Sequence, residues 1–402
     1  MSGAVQLDDI ALAAVAQAAQ RLQTLIIPRC TRVTDAGLEA AVARLRELQV
    51  LNLSNCHRIT DNGLAYLAHL HRLSQLILKN CPAITDAGVA ALAPLRRLEL
   101  LDLAHAGTRV TGAGFAAFSG RSLGTRLASL ALSYCGGLGD RGLGVLCVAL
   151  RGLMRLDISG CNALSDAGGT CLGRLPLLTD VDLSHCARIG DATLSALAPL
   201  RLLAIIKMPG CVRISDEGLA AIAAAGATNL SPQPPPLIND STSAPDSPRH
   251  HARVLLQPAV TVPQTVATIN PNTAMPGSAT PAAATSAAGP DTQQPITTIA
   301  DVSGGDSGSG SGSPCPSNAS PVLCLHLDSC ISITDVGLMH LASLTSLTSL
   351  RLARCAAVTD AGVAALAALT RLCNLSLAHC PAVTQGGLLA LSGITSLASL
   401  EF

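Results

Sequence analysis

The sequence predicts an α/β solenoid: a horseshoe with a parallel β-sheet on its concave side and helices on its convex side, interrupted by a disordered insertion. Three observations predict it. A short phrase recurs far apart in the chain, as "CPAITDAGVAAL" from Cys81 and as "CAAVTDAGVAAL" from Cys355. Its cysteine marks a column of Cys30, Cys56, Cys81, Cys135, Cys161, Cys186, Cys211, Cys330, Cys355 and Cys380. The column steps by 25 or 26 residues, except where Ala106 replaces the cysteine and where a long insertion intervenes. Three apolar residues precede each cysteine at minus eight, minus five and minus three, as in Leu73, Leu76 and Leu78 before Cys81. Such a period means stacked units, each burying its apolar side only against its neighbours.

The strand comes first in each unit. In "LSQLILKNC" Leu76 and Leu78 alternate with Ile77 and Lys79, one side buried and one open. The cysteine follows as the chain leaves the strand. It reads as a small buried thiol donating weakly to a loop carbonyl. Ten equivalent cysteines suit neither a single nucleophile nor a clustered metal site, and no CxxC pair occurs. "ITDAG" then starts a helix, where Thr85 or Asp86 can accept orphan amide hydrogens. Gly139 and Gly190 lack the hydroxyl but are followed by Asp140 and Asp191, so the carboxylate is expected to be the principal cap. Leu92 and Leu95 carry the buried stripe.

Three segments follow. Residues 1–226 hold a half-repeat, "LDDIALAAVAQAAQRL", and eight repeats; residues 227–320 are a Pro, Ser, Thr, Ala and Gly-rich insertion; residues 321–402 hold three repeats and a terminal strand. The insertion has too little apolar surface to offset its ordering entropy and is expected to be unstructured. Its "ARVLLQPAVTVPQTVATI" is more apolar and suits an extended docking segment, and Ser247-Pro248 and Thr280-Pro281 suit proline-directed kinases. The insertion is expected to loop out, because the eighth helix ends in apolar "LAAIAAAG" and the ninth strand "VLCLHL" is apolar toward its predecessor. A long closed loop costs little more than a short one. "LASLEF" ends the chain one strand into a twelfth repeat with no polar cap, so a longer product or a covering partner is expected.

The motif LxxLxLxxC followed by [IV]TDxGLxxL resembles the cysteine-containing class of leucine-rich repeat. The resemblance spans 11 units, roughly residues 22 to 226 and 322 to 402. It implies a protein-binding role like that of F-box substrate receptors in SCF-type ubiquitin ligases, or of Amn-type antagonists of mitotic exit. It thereby implies Skp and cullin components as candidate partners. No F-box is visible ahead of the first repeat, so a ubiquitin-independent interaction scaffold stands as the alternative. A GTPase-activating role is more distant, since that repeat class favours longer units and an Asn-centred motif.

Composition narrows the partners. The chain is 49% hydrophobic, 13% charged and formally neutral, which argues against nucleic acid and acidic membranes. Aromatics make up 1% with no Trp, too few for base-stacking platforms. The first residues lack a positive n-region, and no long unbroken apolar run suits a membrane span. A soluble cytoplasmic or nuclear protein with reduced cysteines is expected. No phosphate-binding Gly loop, nucleophile elbow or metal cluster emerges, so no catalytic residue and no cofactor is assigned.

Function is therefore sought on the open strand positions. At cysteine minus four the acidic Asp102, Asp157 and Asp182 give way to Lys207, His326 and Arg351. At minus one Tyr134, His185, Arg354 and His379 project on the same face. These ten residues are the candidate concave face for a protein or peptide ligand, with an acidic and a basic zone.

Overall fold

The computed structural model describes residues 7–120, 122–228, 266–268 and 322–402. The chain contributes one three-residue strand per repeat. The strands are β1 (Thr24–Ile26), β2 (Val50–Asn52), β3 (Gln75–Ile77), β4 (Leu100–Asp102), β5 (Ser129–Ala131), β6 (Arg155–Asp157), β7 (Asp180–Asp182) and β8 (Ile205–Lys207), then β9 (Val266–Thr268) from the insertion. After it come β10 (Cys324–His326), β11 (Ser349–Arg351), β12 (Asn374–Ser376) and β13 (Ser399–Glu401). All pair in parallel, in sequence order except at the insertion.

There β8 pairs directly with β10, Ile205 opposite Cys324 and Lys207 opposite His326, so one stack runs across the insertion. Most of the insertion, expected to be unstructured, lies outside the described residues, as do its two Ser/Thr-Pro sites. Its more apolar stretch contributes β9, which pairs with β1 at the outer edge of the sheet. Among the described residues no helix is long and apolar enough to cross a membrane.

The minus-eight, minus-five and minus-three leucines fill the interior. Leu73, Leu76, Leu78, Leu347, Leu350 and Leu352 are all fully buried, each worth about 2 kcal/mol of removed apolar surface. The half-repeat helix Asp9–Ala18 covers the first repeat with Leu12 and Ala16.

The "TDxG" phrase works differently from the expected cap. The hydroxyl residue is the N-cap: Thr85 Oγ1 accepts from Ala87 N at 3.1 Å. The aspartate is the first helical residue, and its carboxylate reaches into the next repeat. Asp61 Oδ1 accepts from Thr85 N at 2.8 Å and Oδ2 from Thr85 Oγ1 at 2.6 Å. The same pair of bonds links Asp9 to Thr34, Asp35 to Thr60, Asp140 to Ser165, Asp191 to Ser215, Asp335 to Thr359 and Asp360 to Thr384. Across the insertion Asp216 holds Thr334 at 2.8 and 2.6 Å. The glycine then makes room: a Cβ on Gly88 would stand 2.3 Å from Asp61 Oδ1, and one on Gly337 2.4 Å from Asp216 Oδ1.

The exceptions obey this interlock. Gly139 has no hydroxyl, and the preceding repeat has Gly112 where its aspartate would stand. Gly190 also lacks one, yet Asp166 is present, and Thr193 replaces the glycine two residues past Asp191. Thr193 Oγ1 donates to Asp166 Oδ1 at 2.7 Å in its place.

The cysteine column forms a second inter-repeat ladder. Cys56 Sγ donates to Ile27 O at 3.5 Å, Cys161 to Leu132 O at 3.2 Å and Cys330 to Met208 O at 3.4 Å. The acceptor is the minus-three carbonyl of the preceding repeat, where that strand ends. All cysteines among the described residues are free thiols. Burial, the leading cause, pushes the Cys161 thiol up to about 12 and the Cys81 thiol to about 11.

Candidate protein-binding face

Pleating sends the minus-five leucine inward and the minus-four residue outward. Strand register then lines up the minus-four residues. Asp157 of β6 stands beside Asp182 of β7, Asp182 beside Lys207 of β8, Lys207 beside His326 of β10, and His326 beside Arg351 of β11. Five of the ten candidates thus form one uninterrupted row, with its sign changing at β7–β8. Asp102 lies apart, since Ala131 of β5 separates it from Asp157.

These aspartates are not simple solvent-facing charges. Asp102, Asp157 and Asp182 are half-buried. Each accepts from the backbone amide two residues on, at 3.0 to 3.1 Å from Ala104, Ser159 and Ser184. Asn52 makes the same bond to Ser54, so the turn needs the side-chain oxygen and not the charge. Ion pairs tie Asp102 to Lys79 at 3.2 Å and Asp182 to Lys207 at 3.7 Å. Among the described residues Asp157 has no such cation. His326 sits between Lys207 and Arg351, and its imidazole is held below the ordinary 6.5 by burial first and by the Arg351 charge second.

The minus-one residues Tyr134, His185, Arg354 and His379 are exposed at the sheet's rim, all with left-handed backbone at φ 57 to 62°. The column's other members carry the sequence signal for this backbone. It holds Asn55, Asn80, Gly160 and Gly210, the residue types that adopt positive φ most easily. Tyr134 stacks on His105 with ring centroids 4.7 Å apart and planes 6° from parallel. A Cβ on Gly160 would stand 2.6 Å from the Tyr134 ring, so that glycine lets the ring lie flat along the rim. His105, His185 and His379 belong to widely separated repeats. Among the described residues no three His, Cys, Asp or Glu side chains are grouped to hold a metal ion.

Toward the C-terminal end the face dips into a hollow of about 360 Å3. It brings Arg351, Arg354, His185 and His379 together with Asp328, Ser376 and Glu401, three residues outside the ten predicted ones. Ser376 shares the minus-four row and was visible there. Asp328 sits at minus two, where its role depends on Arg351 one repeat later, at 3.0 Å.

The Leucine Rich repeat family model matches residues 45–68, 152–173, 174–198 and 343–367. No curated protein matches the sequence. Solved structures similar to it include a chain of the yeast Rad7 and Elc1 complex, at 15% identity over 94% of this chain and 85% of that chain, TM-score 0.45. Another is an internalin (inlF) from Listeria monocytogenes str. 4b F2365, at 16% identity over 98% of this chain and 94% of that chain, TM-score 0.47. A third is a chain of the TLR13-ssRNA13 complex, at 17% identity over 92% of this chain but 37% of that chain, TM-score 0.48. With strand, cysteine ladder and helix repeating in one parallel stack, and the family model matching on both sides of the insertion, the chain folds as a leucine-rich repeat solenoid.

Proposed function

We propose that the concave sheet captures a protein or peptide ligand, and that the chain is a substrate-recognition component or adaptor in SCF-type ubiquitin-dependent degradation. The observation that carries the binding role is the unbroken row Asp157–Asp182–Lys207–His326–Arg351, a surface that changes sign within five adjacent strands. Opposed charge zones fix the orientation of a partner and speed its encounter. The ubiquitin role rests on the resemblance of the cysteine-containing repeat motif to that of F-box receptors. The reading is of a binding module, with no catalytic step assigned.

Recovery of partners from a native lysate tests both levels. Asp157→Asn with Asp182→Asn, or Arg351→Ala with Arg354→Ala, should reduce recovery several-fold. Neutralising the exposed Arg96 and Arg97, in the turn ahead of β4, should not. Unchanged recovery by both concave variants would remove the face assignment. Partners that arrive without any Skp or cullin component would replace the ubiquitin role with that of a plain scaffold.

A further inference from the structure

The hollow at the C-terminal half of the face is lined by a residue whose hydroxyl is unsatisfied among the described residues. Ser376 is 4% exposed, and its Oγ has no hydrogen-bond partner among the described residues. It lines the hollow and stands between Arg351 of β11 and Glu401 of β13 in strand register. A buried hydroxyl without a partner costs on the order of 1–3 kcal/mol. A residue lining a cavity with such a hydroxyl can offer it to a water or a ligand atom once its side chain turns outward.

The surrounding groups define that atom. Arg351 and Arg354 each carry five N–H donors, and among the described residues only the Nε–H of Arg351 is committed, to Asp328 Oδ2 at 3.0 Å. Asp328 Oδ1 is already held by Ala353 N at 2.9 Å, so both its oxygens are occupied. Arg354 has no ion pair among the described residues. Lys207 adds a further positive charge on the side away from Ser376, beyond the uncharged imidazole of His326. The hollow therefore presents the remaining N–H groups of Arg351, the whole Arg354 fork and one hydroxyl, with the Asp328 carboxylate against Arg351 and the exposed Glu401 carboxylate on the far side of Ser376.

We propose that this hollow is an oxyanion subsite for a peptide segment of the partner, binding an Asp or Glu carboxylate or a phosphorylated side chain between Arg351 and Arg354 with Ser376 Oγ–H as the third donor. Paired guanidinium groups favour planar or tetrahedral oxyanions through bidentate bonds. Glu401 repels the anion from one side and so sets its position near Arg351 and Arg354. The subsite rests on the concave-face reading above and names the chemistry of its basic half.

The test is calorimetric titration of the full chain with an eight-residue peptide bearing two Glu residues, its Gln counterpart, its phosphoserine counterpart and inorganic phosphate alone. The Glu or phosphoserine peptide should bind at least tenfold tighter than the Gln peptide, and whichever is tighter identifies the source of the anion. Arg354→Ala should weaken that binding about tenfold, while Glu401→Gln should strengthen it about threefold. Ser376→Ala gives the distinguishing pair of readings: the unfolding midpoint should hold or rise, while affinity falls about threefold. Equal binding of the Glu, phosphoserine and Gln peptides, or phosphate alone binding as tightly as any peptide, would overturn the proposal. So would Arg354→Ala with its fold intact and its affinity unchanged. Loss of partner recovery in the Asp157→Asn, Asp182→Asn variant alongside any of these results would leave the concave-face reading standing without this subsite.

Discussion

The aspartate at cysteine plus five shows how a residue's job can lie one repeat away from where it is read. A carboxylate at a helix start looks like that helix's own cap, and the sequence pattern alone supports it. The missing relation is spatial. Asp61 meets Thr85 only because stacking brings residues 24 positions apart to 2.6 Å. The clue was in the exceptions, since Gly139 loses its hydroxyl where the preceding aspartate is Gly112.

The interlock makes the glycine as necessary as the acid. Gly88→Ala should destabilise by about 2–4 kcal/mol, because its Cβ would meet a carboxylate that is itself bonded on both oxygens. Chemical denaturation measures it. A loss below about 0.5 kcal/mol would show that the aspartate yields at no cost.

His326 supplies a second test at this scale. Its folded imidazole lies below the ordinary value, so on acidification the unfolded chain takes up its proton first. Stability from this group is complete above about pH 6.5 and is lost as the pH falls below it. His326→Gln should flatten the fall in the unfolding midpoint between pH 7.5 and 5.5, and an unchanged slope would contradict the assignment. The thiols offer a third. Buried Cys161, pushed up to about 12, should resist a bulky alkylating reagent at pH 8 until denaturant is added. The half-exposed Cys171 and Cys373 should react first among the described thiols. Rapid labelling of Cys161 in the folded state would remove the buried-ladder account.

Each strand is an element of three residues, yet it fixes both the core and the face. The alternation was legible because leucine, or Val181 and Ile206 in its place, recurs at the minus-five position of every repeat; the left-handed turn after it went unread, although the Asn and Gly members of its column signal it. The double duty of the outward aspartates was not legible, since nothing in one repeat distinguishes a free charge from one closing a turn. Asp157 is half-buried, and its Oδ1 takes both the Ser159 amide at 3.0 Å and the Ser159 hydroxyl at 2.7 Å. Asp157→Lys should therefore lower stability by about 1 kcal/mol, whereas Asp157→Asn should stay near neutral, as Asn52 in the same position indicates. Equal stability of the Lys and Asn variants would show that the turn does not depend on the side-chain oxygen. For this reason the charge on the acidic zone is best tested with asparagine.

Across the whole molecule, two stretches separated by the insertion make one sheet. This was legible from the apolar end of the eighth repeat's helix and the apolar strand "VLCLHL", which is β10 in the sheet. Neither the seating of β9 beside β1 nor the hollow was legible. The first depends on where a long connection comes to rest. The second depends on Arg351, Arg354, Ser376 and Glu401 meeting across three repeats. The same stacking carries the proposed binding face over the insertion, since Lys207 and His326 are neighbours only if β8 meets β10.

The bonds from Asp216 to Thr334 span 118 positions of sequence and belong to the ladder that joins every ordinary repeat pair. A double-mutant cycle with Asp216→Asn and Thr334→Val, run beside a reference cycle of Asp61→Asn and Thr85→Val, measures whether the stack is continuous. Both cycles should give a coupling of about 1–2 kcal/mol, since each removes hydrogen bonds to a charged group. Coupling in the reference pair with none between Asp216 and Thr334 would mean that the two stretches do not stack, and that the binding face ends at β8.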